Sequence, residues 1–188
     1  PPPRVVTLPP RVTPTPPPDI SGAVLTLEDL PPGFEAMSLE EFGMTEEDLS
    51  GDDFTVESIF AFLDAGNFEL VMGFTTLILN RLEQAGFDVA LEQPEFLMES
   101  MVGSMGSMDI LEQEPLADLD DIGDASAGMT MVADMEGIPM RVDMAVFRRG
   151  IVGAFVIVMY IDGDVPVLSV EEAANGLDAR IVEVLPGD

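Results

Sequence analysis

The segment Ile151 to Ile161 is apolar on both of the faces a β-strand would give it: Val152, Ala154, Val156 and Val158 on one, Ile151, Phe155, Ile157 and Met159 on the other. A strand with one face in water alternates apolar and polar residues, so this one needs cover on both sides. It is about half the length needed to cross a bilayer. It therefore predicts the central strand of a sheet with helices or a lid above and below.

Two further strands lead into it, Met129 to Met135 and Met140 to Arg148, joined by tight connections at Glu136-Gly137 and Arg149-Gly150. The three form a meander. In the middle strand Met140, Val142, Met144 and Val146 share one face, and Arg141, Asp143, Ala145, Phe147 and Arg149 share a partly polar one. Upstream, Ser58 to Leu63 and Phe68 to Phe74 flank the turn formers Asp64-Ala65-Gly66-Asn67, the pattern of a hairpin. Ala23 to Ser38, broken at Leu30-Pro31-Pro32-Gly33, reads as entry into the domain and a first strand. Three helices are predicted. One covers Leu77 to Ala85 with Gly86 as its stop, one runs from Pro94 to about Ser104, and the last is capped by Ser169 with Glu172 in the reciprocal box position. Val170, Ala173, Ala174, Leu177, Ile181 and Val184 make the buried stripe of the last helix. The fold class expected is α+β: an antiparallel sheet, built from a C-terminal three-stranded meander and an N-terminal hairpin, flanked by helices.

Nine of the sixteen prolines fall in residues 1–18, where each fixes φ and withholds an amide donor. The segment reads as an extended tether, able to hold a domain on the order of 50 Å from an anchor, ahead of a single acidic domain at 19–188. Every Asp and Glu lies at or beyond residue 19, whereas Arg4 and Arg11 lie in the tether. The body thus carries 5 − 36 = −31 formal charges. Such a field repels nucleic acid, which needs clustered cations to release counterions. A passive stalk is the plain reading of the tether, and a strip docked by a partner through Arg4 and Arg11 is the sharper one. The start at Pro1 is read as the trace of a removed leader, with or without a lipid anchor, and so predicts export.

The chain has no Lys, His or Cys. Nucleophilic catalysis by a serine with an imidazole or lysine base, Schiff-base chemistry, thiolate metal sites and a phosphate-loop lysine are closed by that absence. Paired carboxylates stay open in principle. The best calcium-like run, Asp118, Asp120 and Asp124 with Gly123 at the sixth position, has Ile122 and Met129 where further ligands belong. An acidic turn is the plain reading, and no cofactor is expected beyond that calcium alternative. Met98, Met101, Met105 and Met108 recur at three, four and three residues on one side of the predicted second helix. Thioethers so placed fill a core, line an adaptable apolar groove, or bind soft copper(I). Arg141, Arg148, Arg149 and Arg180, outnumbered by acids, are expected to be held by carboxylates.

Leu25-Thr-Leu-Glu-Asp-Leu-Pro-Pro-Gly-Phe34, Ile122-Gly-Asp-Ala-Ser126 and Val146-Phe-Arg-Arg-Gly150 before an apolar strand and a helix with Arg180 together resemble exported bacterial lipoproteins and sensor domains of the PsbP and LpqN-like group. The likeness spans most of residues 23–185. It implies an antiparallel sheet sandwiched by helices, a place in the periplasm, thylakoid lumen or cell surface, and a role in binding or assembly with no catalytic residues to carry over. The functional expectation is a non-catalytic extracytoplasmic domain that meets a partner protein or multi-subunit assembly. The alternative is a calcium-binding or carboxylate-dependent hydrolytic protein.

Overall fold

The first side chain to be fully buried along the described chain is Ile20, just after the last proline of the tether, and Ala23 N–H donates back to its carbonyl in the turn that brings the chain into the body. The computed structural model describes residues 17–38, 41, 56–93, 109–117, 119, 121–135 and 137–185. Arg4, Arg11, the helix expected from Pro94, the methionine row Met98, Met101, Met105 and Met108, and Asp118 and Asp120 lie outside the described residues.

Seven strands form one antiparallel sheet: β1 (Glu35–Ala36), β2 (Val56–Asp64), β3 (Glu69–Leu77), β4 (Asp109–Pro115), β5 (Ala125–Met135), β6 (Ile138–Arg149) and β7 (Val152–Ile161). Their order across the sheet is β1-β2-β3-β7-β6-β5-β4. The strand that is apolar on both faces, β7, is therefore the fourth of seven, and nine of its ten residues are buried. Two helices complete the described architecture, α1 (Arg81–Leu91) and α2 (Val170–Val184). The coarse class is α+β.

Each face of the sheet has its own core. On one, Phe60, Val71, Phe147, Val156 and Val158 pack against Ala173, Leu177 and Ile181 of α2. Beside α2 on this face lie the entry segment with Leu25 and Phe34 and the loop side chains Leu119 and Ile122. The opposite face carries Leu70, Phe74, Val142, Val146, Phe155 and Ile157, with Leu91 and Phe87 of α1 against it. Phe74 and Phe155, paired across β3 and β7, stack with centroids 4.4 Å apart, and Phe87 meets Phe155 edge-on. Seven methionines belong to this second core: Met37, Met72, Met129, Met131, Met140, Met144 and Met159. Flexible thioethers suit a face whose partners differ so much in shape.

α2 begins where the sequence indicates. Ser169 and Glu172 form a reciprocal capping box, and the helix buries Val170, Ala173, Ala174, Leu177 and Ile181. Gly176, costly in a helix interior, sits where Leu25 of the entry segment comes closest: a Cβ there would lie 3.2 Å from Leu25 Cδ2.

Two expectations are corrected. The first helix does not span Leu77 to Ala85. Leu77 still pairs with Val152, and Ile78 N–H donates to Ile151 O at 2.7 Å, so the chain stays in the sheet until Asn80, whose Oδ1 caps the helix by accepting from Glu83 N–H at 2.8 Å. Gly86 lies inside α1 and does not stop it; Leu82 is 84% exposed, and Phe87 and Leu91 make the contact with the sheet. The second correction is β4, which the sequence reading left out. Its residues are three acids, a glutamine, a proline and two aliphatics, and its described side chains through Glu114 are all exposed. A bulge between Ile110 and Glu112, the acids and the terminal Pro115 blunt this edge against further pairing.

Candidate functional site

The other edge of the sheet is built differently. β1 pairs with β2 over two residues only, Glu35 with Leu63 and Ala36 with Phe62, and a last bond from Met37 N–H to Ala61 O at 2.9 Å ends the ladder. In an antiparallel strand alternate residues aim their amide and carbonyl at the same neighbour. Ile59 therefore faces outward as Ala61 does, but no described strand pairs with it on that side.

A groove of about 610 Å³ lies along this edge. One wall is the entry segment from Leu25 to Glu28; the other is Ala36, Met37 and β2 from Ile59 to Phe62. Arg180 of α2 closes one side. The wall stands where it does because Thr26 caps the 3-10 turn Leu27–Asp29, with its N–H and hydroxyl both donating to Asp29 Oδ2 at 2.8 Å. Arg180 then holds that turn against α2, donating to both Asp29 oxygens and to Thr26 Oγ1. Its remaining partner is Glu183. The guanidinium is thus committed to the scaffold. Leu27 stays 49% exposed at the rim.

A second cluster surrounds the turn between β6 and β7. Arg148 and Arg149 are neighbours in a strand, so their side chains leave opposite faces of the sheet. Arg148 grips Asp88 of α1 in a fork at 2.6 and 2.8 Å, and Arg149 grips Asp178 of α2 through Nε at 2.8 Å and Nη2. Asp124 sits between them. Its Oδ2 accepts from Arg148 Nη1 at 3.1 Å and Gly150 N–H at 2.8 Å, and its Oδ1 from Arg149 Nη1 at 3.5 Å. One turn thereby ties both helical layers and the loop before β5 together. Asp124, singled out as a calcium ligand in the sequence, is engaged here by two guanidinium groups and an amide. Among the described residues no group of three or more acids is arranged to hold a metal ion.

Glu69 carries a different load. At 1% exposure it accepts from Val167 N–H at 2.5 Å and Leu168 N–H at 2.9 Å, fixing the segment that leads into α2. Burial raises its pKa, the two amides oppose that, and Asp64 and Glu172 add repulsion. A carboxyl raised in the folded state binds more protons folded than unfolded. Its contribution to stability is therefore full below the ordinary 4.5 and is lost as pH rises through the folded value. Glu69→Gln cannot titrate, so the stability of the wild type relative to this variant is expected to fall as pH rises above that ordinary value. Urea melts of both proteins across that range check the sign.

No protein-family model matches this chain and no curated protein matches it in sequence. Its site is thus read from its own geometry. That geometry uses Asp124 structurally and brings forward residues the sequence reading did not single out for a site: Ile59, Met37, Leu27 and the wall they share. The available signal was a break at Pro31-Pro32-Gly33 too close to the next loop for a full first strand, beside a β2 segment of strand length. Among the described residues no helix is long and apolar enough to cross a membrane.

Proposed function

We propose that this chain is a non-catalytic domain for binding or assembly, carried outside the cytoplasm on its proline-rich tether and contacting a partner protein or larger complex. The observation that carries the reading is the groove between the entry segment and strands β1 and β2, walled by a turn that Arg180 locks in place. Polar groups elsewhere support it. Arg141, Arg148, Arg149 and Arg180 are each bound to carboxylates, and buried Glu69 is spent on backbone amides, as scaffold contacts are. The absence of Lys, His and Cys from the sequence points the same way. A sheet with α2 on one face and α1 on the other is what favours a PsbP-like sandwich as the finer description.

The test is cross-linking in the native setting with mass spectrometry of the products, on the full chain and on one lacking residues 1–18. The full chain is expected to cross-link reproducibly to a partner protein, and the shortened chain to lose its association with the membrane or complex. Unchanged association after the deletion removes the tether from the proposal. Absence of any partner cross-link removes the proposal.

A further inference from the structure

We infer that the tip of the β2–β3 hairpin is an apolar plug, which seats Phe68, with Val165 and Val167 beside it, in a cleft of a partner protein rimmed by basic residues. The inference rests on the binding role proposed above and gives that partner its chemistry. Phe68 carries the argument. It closes the four-residue loop between β2 and β3, it is 65% exposed, and with φ at 53° it is the one residue other than glycine in the left-handed region among the described residues. Glycine and asparagine adopt that region readily; a bulky side chain does so against a steric cost. The loop is braced all the same. The Asp64 carboxylate accepts from the amides of Gly66 and Asn67 and from the Asn67 side chain. A strained residue in a braced loop, with its ring in water, has the form of a preorganised contact.

The surroundings extend the plug. Glu69, the next residue, accepts from the Val167 and Leu168 amides and so draws the segment before α2 against the start of β3. On that segment Val165 is 89% exposed, and Val167 is exposed too. Both stretches lie within continuous described chain, 56–93 and 137–185. They sit at the end of the sheet away from Ile20, whose carbonyl accepts from Ser58 Oγ near the start of β2. The apolar tip thus points away from the place where the tether enters the body. Charge identifies the partner. Asp164 and Glu171 are exposed around the tip and form no ion pair with a described residue, while Arg141, the described cation at this end, is bound by Asp162. Unpaired carboxylates around an apolar projection complement a cleft with arginine or lysine at its rim. A second copy of the chain is a poor occupant, because two convex tips cannot enclose one another and each body brings −31 (5 − 36) formal charges. An anionic lipid surface is repelled by the same field.

The experiment uses the full chain in its native setting, with Phe68→p-benzoylphenylalanine and, as a control at an exposed apolar position on α1, Leu82→p-benzoylphenylalanine. After irradiation, mass spectrometry maps each adduct to the residues it joins. The photoreactive group at 68 is expected to join one partner protein at apolar residues flanked by arginine or lysine, in about tenfold higher yield than the group at 82. Unlabelled Phe68→Asn, added as a competitor, is expected to be about tenfold weaker than unlabelled wild type. Its thermal midpoint is expected to hold level or rise by about 3 °C, because asparagine relieves the backbone. A midpoint lowered by that much overturns the inference, since the ring then belongs to the fold, and so does equal competition by Phe68→Asn. Adducts to phospholipid overturn it in favour of a membrane contact, and adducts to a second copy in favour of self-association. If position 68 yields no adduct while the native cross-links to a partner persist, the plug is lost and the binding domain stands; if those cross-links are also missing, both are lost.

Discussion

Gly73→Ala is expected to destabilise the fold by about 3 kcal/mol, at the upper end of overpacking costs, and to lower the thermal midpoint by roughly 10 °C. Gly73 lies inside β3, between Phe60 of β2 and Val156 of β7. A Cβ added there would stand 2.5 Å from Phe60 Cζ and inside the contact distance of the Phe155 carbonyl oxygen. The two clashes differ in kind. Phe60 is a side chain, but its ring is buried and stacked on Phe62 with centroids 6.0 Å apart, so it turns only at the expense of the core under α2. The carbonyl belongs to the central strand and moves only with the sheet. Calorimetry on Gly73→Ala, Phe60→Leu and the double variant separates them: the double variant is expected to recover part of the loss, from the ring, and to retain the part due to the backbone. Full recovery would show that the carbonyl contact relaxes without cost.

Much of this architecture is legible in the sequence because local and tertiary signals agree there. Ser169 and Glu172 form a cap whatever α2 packs on, and the two-faced apolarity of Val152–Ile161 has only one comfortable place in a sheet, the middle. Arg148 and Arg149 were expected to meet carboxylates, and in a body with so many acids the pairing follows from numbers; that each serves a different helix follows from the strand alternation. What stayed hidden has physical reasons too. β4 buries almost nothing, so no periodicity marks it; it is held by main-chain pairing to β5. The start of α1 is set by the sheet keeping hold of Leu77 and Ile78, a tertiary fact that outweighs the helix pattern read from Leu77 onward. The groove is harder still to foresee, because it is made by where β1 stops.

Tyr160→Phe is expected to cost about 2–3 kcal/mol, the range for taking a hydrogen bond from a buried charged group. Tyr160 Oη donates to Asp143 Oδ2 at 2.8 Å, both residues are buried, and Asp143 Oδ1 has no hydrogen-bond partner among the described residues. Arg141 shares that face of β6, but it turns to Asp162 at 2.7 Å and to Thr130 Oγ1 at 3.1 Å. The tyrosine is thus the carboxylate's hydrogen-bond donor, and burial followed by that bond raises the phenol's pKa above its ordinary value. Removing the hydroxyl leaves a buried carboxylate with neither oxygen bonded. Removing the carboxylate, by Asp143→Val, leaves a neutral hydroxyl without an acceptor, which is the smaller penalty. Removing both leaves apolar groups of nearly the same shape. The double variant is therefore expected to be more stable than Tyr160→Phe alone, and the cycle, measured by urea denaturation, to give a coupling of about 1–2 kcal/mol. Strict additivity would mean that water already serves Asp143, and that the pair adds no rigidity to the centre of the sheet.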